Sequence, residues 1–111
     1  MASHVIQIIV CEDKRNGWWS AQCLQYDIAT QARTLEGLIY EIQRVIMGQF
    51  VVSKELGGEP FVGIKPAPQI FWQIYDDAKT HVKREPVPFS GPHGPHAPIH
   101  SDYRLAEMCP A

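Results

Sequence analysis

Residues 4–12, HVIQIIVCE, place Ile6, Ile8 and Val10 on one side of an extended chain and Val5, Ile9 and Cys11 on the other. A strand that is apolar on both sides, and rich in β-branched residues, belongs inside a sheet. One of its faces rests on a core, and the other is open to a helix or to a second chain. With 111 residues the chain has room for one such core and not for two. A polar stretch ending in Asn16-Gly17 follows, and that pair accepts the positive φ values of a tight turn, so a hairpin is expected. Residues 18–24 form the return strand, with Trp19, Ala21 and Cys23 on its buried side. After a polar break at Gln25-Tyr26-Asp27, residues 28–33 form a third short strand, and such short connections favour an antiparallel meander.

Thr34 then offers a hydroxyl as an N-cap, Glu36 places a carboxylate in the first turn, and Leu35, Leu38, Ile39, Ile42, Val45 and Ile46 follow at helical spacing. The helix is expected over residues 34–56 and ends at Gly57-Gly58. Residues 59–65 make a connector or a short strand. Pro66 and Pro68 cannot donate within a sheet but can open a helix, and Ile70, Phe71, Ile74, Tyr75 and Ala78 mark a second amphipathic helix over residues 69–80. From residue 85 the composition changes. Residues 86–100 hold five prolines, two glycines and three histidines, which reads as an irregular tail, with one helical turn near Tyr103. The expected architecture is therefore α+β. An antiparallel sheet of three to four strands, in β-β-β-α-β-like order, is packed by one long helix, with a second C-terminal helix and a tail. Residues 1–84 form the domain and residues 85–111 the Pro/His-rich tail.

Ten Lys and Arg against twelve Asp and Glu leave a formal charge of -2, which gives no global footprint for nucleic acid. Lys79, His81, Lys83 and Arg84 form a local basic cluster, read as the solvated end of the second helix. No apolar run approaches the roughly 20 residues that span a bilayer, and there is no signal-like start, so no membrane contact and a cytoplasmic location are expected. Cys11, Cys23 and Cys109 form no C-x-x-C pair. Their odd number argues against a disulfide framework and for a reducing compartment. His93, His96 and His100 are the clustered metal-type ligands, but Pro92, Pro95 and Pro98 interrupt them, and no metal or cofactor is expected. No histidine is placed to activate a cysteine, and nothing in the sequence fixes a carboxylate pair. No residue is therefore assigned a catalytic role, and the chain is expected not to be an enzyme.

The order of strand, Glu12-Asp13, Gly17, Trp19 and Ala21, then Thr30, Thr34, Leu35 and Glu36 before an amphipathic helix, resembles the HicB-like antitoxin family over roughly residues 5–50. Ala32 stands where that pattern usually has Gly, and Gly37 where a second Glu is common, which leaves Thr34 to cap the helix alone. The resemblance implies a non-catalytic interaction module, the antitoxin partner of a small ribonuclease toxin. Family members commonly carry a DNA-binding segment as well; the sequence has no second unit of that kind after residue 81, so nucleic-acid binding is not expected.

The competing readings are a small ligand-binding protein or enzyme on the same fold, and an RNA-contacting protein that uses the basic cluster. Trp18 and Trp72 fall off the main apolar pattern, and large aromatics in that position either close a core edge or anchor an interface. Two helices are expected to leave part of a sheet with such a strand uncovered. Val5, Ile9, Trp18 and Trp72 are therefore the candidate interface, and a homo-oligomer is expected.

Overall fold

The computed structural model describes residues 4–58, 61–87, 99–107 and 109. The elements are β1 (His4–Asp13), β2 (Trp18–Cys23), β3 (Ala29–Ala32), α1 (Leu35–Leu56), α2 (Gln69–Asp77), β4 (Thr80–Pro86) and β5 (Ile99–Leu105). The α+β class holds. The sheet, however, is mixed and has five strands in the order β3-β2-β1-β5-β4, not three or four antiparallel ones. β1 pairs antiparallel with β2 and parallel with β5, so the strand with two apolar faces occupies the middle.

The β1–β2 hairpin forms as its turn residues dictate. Gly17 takes φ 77 and donates to Asp13 O at 2.8 Å, while Asn16 Oδ1 accepts from Trp18 N–H at 3.0 Å. Thr34 Oγ1 accepts from Gly37 N–H at 3.0 Å and caps α1. A Cβ at residue 37 would meet that same hydroxyl oxygen at 3.0 Å, a close contact that glycine avoids. At the other end Gly57 adopts φ 73 and Gly58 N–H donates to Ser53 O at 2.9 Å, a Schellman closure.

α1 covers one face of the sheet. Leu38, Ile39, Ile42 and Ile46 pack on Ile6, Ile8, Val10, Ala21, Cys23, Ile99 and Tyr103. The other face of β1 is covered as well, because Ile9 and Cys11 lie with Leu24, Ala67, Tyr75 and Ala106 in a second core, and Phe71, Trp72, Ile74 and Ala78 close over it.

Five expectations for the C-terminal third are corrected. α2 stops at Asp77, because Ala78 turns extended with ψ 124, and Thr80 begins a strand. His81, Lys83 and Arg84 of the basic cluster therefore lie on edge strand β4, with Lys79 just before it, and charged side chains there can face water from the edge and from one face. The stretch expected as a tail supplies β5 between β1 and β4. Its alternation was present in the sequence: Ile99, Ser101 and Tyr103 are buried, with His100, Asp102 and Arg104 between them. The expected boundary between residues 84 and 85 falls within β4, and no helical turn forms at Tyr103. Residues 88–98, with His93 and His96, lie outside the described residues.

Cys11 and Cys109 are disulfide-bonded, with Cα atoms 5.4 Å apart, contrary to the expectation drawn from the cysteine count. β5 returns the chain end to the flank of β1, a proximity that 98 residues of separation conceal in the sequence. Cys23 is the thiol left over, and the cysteine-based argument for a reducing compartment falls away.

Ile42 is fully buried, so Ile42→Ala should cost about 2–5 kcal/mol in urea denaturation; a loss below half a kcal/mol would reject the packing of α1 on the sheet. Reduction, or Cys109→Ser, should lower stability by roughly 2–5 kcal/mol, given the length of the closed loop. A melting temperature that is indifferent to a reductant would show that the bond does not form.

Candidate interaction surface

The residues proposed from sequence as one interface are separated by the fold. Ile9 is buried beneath α2. Trp72 packs on the same core, and its indole Nε1–H donates to Ala67 O at 3.2 Å. Val5 is half-buried on β1, in register with His100 of β5. Trp18 starts β2, with the Arg33 guanidinium 4.0 Å above its ring. The structure thus brings Ile9 and Trp72 together as core and leaves Val5 and Trp18 half-buried elsewhere on the sheet.

Beside α2 on this face is a hollow of about 240 Å³ lined by Ile9, Ser20, Gln22, Ala29, Phe71 and Ile74, among others, with the disulfide in its wall. It falls below the roughly 300 Å³ at which ligand pockets commonly begin.

A polar strip runs along β5 and β4. His81 Nε2 lies 2.7 Å from Asp102 Oδ1, an arrangement that orients an imidazole as in acid-base sites. Arg104 Nη1 donates to Tyr75 O at 3.1 Å and stacks 4.3 Å from the Tyr75 ring. Burial raises the Tyr75 hydroxyl above the usual tyrosine range, and the neighbouring Asp102 carboxylate adds to that shift while Arg104 opposes it. Two candidate nucleophiles do not serve the His81–Asp102 pair: Ser101 is buried and lies one residue out of the alternation that carries Asp102, and Cys23 lies inside the core. Burial pushes the Cys23 thiol from 9.0 to about 12. Among the described residues no group of three His, Cys, Asp or Glu side chains gathers as a metal ion would need. No helix among them is long and apolar enough to cross a membrane.

Among the described residues, three exposed aliphatic side chains lie together at the far end of α1, while a fourth, Ile70 of α2, is 58% exposed outside that group. The α1 side chains packed in the core run from Leu35 to Phe50; beyond them Val52 is 54% and Leu56 81% exposed. Val62 joins them at 73% exposure, and the three line a hollow of about 280 Å³ with Gln49, Ser53 and Phe61. The turn that presents Val62 is closed by Ile64 N–H donating to Phe61 O at 3.1 Å, with Gly63 at φ 82 as a type II turn requires. Phe61 itself sits at φ 63, a conformation costly for a bulky residue. Its ring repays this by stacking on Tyr26 with centroids 3.9 Å apart, and by meeting Phe50 edge-on at 5.6 Å. Sequence reasoning missed this patch. The available signal was an apolar helix pattern that continues past the last residue a small sheet can cover.

The molecule is thus an α+β protein with a five-stranded mixed sheet, a helix on each face and an aliphatic patch at one end. No protein-family model matches the chain, and no curated protein or solved structure matches it either.

The buried thiol fixes an alkaline response. The folded state retains the Cys23 proton that the unfolded chain releases near pH 9, so stability should be level below pH 9 and decline from there towards pH 12. The slope approaches about 1.4 kcal/mol per pH unit. Tyr103, also raised by burial, contributes in the same direction. Urea midpoints across this range should fall less steeply for Cys23→Ala; an unchanged slope would show that the thiol is not protonated in the core.

Proposed function

We propose that the chain is a non-catalytic interaction module of the HicB-like type, which holds a protein partner on the apolar end of α1. The patch of Val52, Leu56 and Val62 carries this reading. Exposed aliphatic residues grouped around one hollow mark contact sites, whereas the same residues scattered singly would mean nothing. The backbone conformation at Phe61 adds support, since strain retained next to such a patch keeps Val62 outward.

The resemblance carried by Thr30, Thr34 and Glu36 points to a small ribonuclease toxin as the partner. That identification rests on family likeness, whereas the docking surface rests on exposure and shape. The RNA-contacting alternative is weaker, because two of the four basic side chains of the β4 region are engaged by carboxylates, His81 by Asp102 and Lys83 by Glu85.

The test is co-expression with a small ribonuclease encoded beside this chain. A stable complex on size exclusion, with the nuclease inhibited, is expected. Leu56→Glu together with Val62→Glu should abolish it while leaving the circular dichroism spectrum unchanged. A nuclease that stays active and elutes alone would remove the antitoxin reading, and a complex indifferent to both substitutions would remove the docking surface.

A further inference from the structure

The two edges of the sheet are built in opposite ways. β4 is blunted three times over: Pro86 has no N–H to offer, the register shifts between His81 and Lys83, and His81, Lys83 and Arg84 are exposed along it. β3, at the other edge, reads Ala-Thr-Gln-Ala, with no charge, no proline and no register shift. An edge left flat and uncharged is a template for another strand.

The hydrogen-bond phase of that edge is fixed. Cys23 N–H donates to Ile28 O, and the register Ala21↔Thr30 and Trp19↔Ala32 continues the same phase. In an antiparallel ladder, bonded and non-bonded pairs alternate, so Thr30 and Ala32 turn their backbone groups towards β2. The N–H and C=O groups of Ala29 and Gln31 point away from the sheet, and Arg33 follows in the same alternation. Asp27 would be next in the other direction, but its N–H already donates to Lys65 O at 2.6 Å, which closes the edge at that end.

From this geometry we infer that β3 pairs antiparallel with β3 of a second copy of this chain, about a two-fold axis at Gln31, to make one continuous ten-stranded sheet. The open groups at positions 29, 31 and 33 are symmetric about Gln31, so Ala29 of each copy meets Arg33 of the other and the two Gln31 residues meet at the axis. Charge complementarity selects the occupant. Arg33 lies over Trp18, and Asp27 accepts from Gln22 Nε2 at 2.8 Å, which places both on the face that carries α2. In the paired sheet Arg33 of each copy sits one diagonal step from Asp27 of the other, within reach of a long side chain. The small residues at positions 29 and 32 leave room for the close approach of a backbone. α1 passes over β3 only with its first turns and then crosses to β4, where Gln43 donates to Glu85, so the helices of the two copies diverge from the axis. This inference uses the opposite edge of the sheet from β4 and does not depend on the partner proposed for α1.

Sedimentation equilibrium of the full chain is the experiment. A dimer at micromolar concentration is expected. Gln31→Pro removes one outward N–H and no bond to β2, and Gln31→Lys, at an exposed position, sets two like charges on the axis; both variants should sediment as monomers with an unchanged circular dichroism spectrum. Arg33→Asp should weaken the dimer by roughly three- to thirtyfold for two exposed ion pairs, and Asp27→Arg added to it should restore the association. A wild type that stays monomeric at high micromolar concentration overturns the inference, as does a dimer that persists in Gln31→Lys.

Discussion

β1 is held from four sides, and the remaining elements are arranged by which side they take. β2 and β5 satisfy its two hydrogen-bonding edges, one antiparallel and one parallel. Ile8 and Val10 are fully buried on the α1 side, and Ile9 and Cys11 are buried on the α2 side. Each such aliphatic side chain contributes about 1.5–3 kcal/mol on burial, so no arrangement that leaves one face of β1 in water competes with this one. The parallel pairing with β5 has a topological consequence. The chain runs through the hairpin, both helices and β4 before it reaches β5, and the bond from Cys11 to Cys109 fastens the pairing of β5 with β1 at that same strand.

What was legible in the sequence was local. The Asn16-Gly17 turn, the Thr34 cap and the span of α1 depend on residues a few positions apart, and each forms as its chemistry requires. β4 and β5 were not legible, because prolines and charges dominate the composition around them, β4 pairs only with β5, and the partner of β5, β1, lies some ninety residues earlier. The same distance hid the disulfide. At the candidate site the error had the opposite sign. Trp72 was singled out because it leaves the helical stripe, yet its indole closes the second core through Ala67, while Leu56, which continues the stripe, has no sheet beneath it. Periodicity says which side of a helix is apolar; it does not say where the supporting sheet ends.

The second face shows how a weak element is made firm by a later one. α2 has nine residues, no side-chain N-cap and no basic residue in its last turn, and a helix that short is marginal on its own. Its last carbonyls are instead met from outside. Ala78 N–H bonds back to Ile74 O and Tyr75 O, and the guanidinium of Arg104, delivered by β5, bonds Tyr75 O while covering the Tyr75 ring. Helix α2 is therefore expected to consolidate only when β5 is in place, which couples the cover of Ile9 to the closing strand.

The same economy explains where polar and apolar surface is placed. Charges are concentrated on β4, where growth of the sheet would be unproductive, and each of two of them is tied to a carboxylate so that the edge stays wet without leaving strong unpaired charge. β3 carries no charged residue and the end of α1 exposes Val52 and Leu56, two places where, among the described residues, backbone groups or aliphatic side chains remain open. Phe61 links the second of these to the core: Tyr26 and Phe50 hold its ring, the ring holds a left-handed backbone, and that backbone turns Val62 outward. Burying Val62 by relaxing the turn would release the strain but pull Phe61 from between the two rings. The exposed valine is thus a consequence of core packing, and the patch it completes is as fixed in shape as the core beneath it.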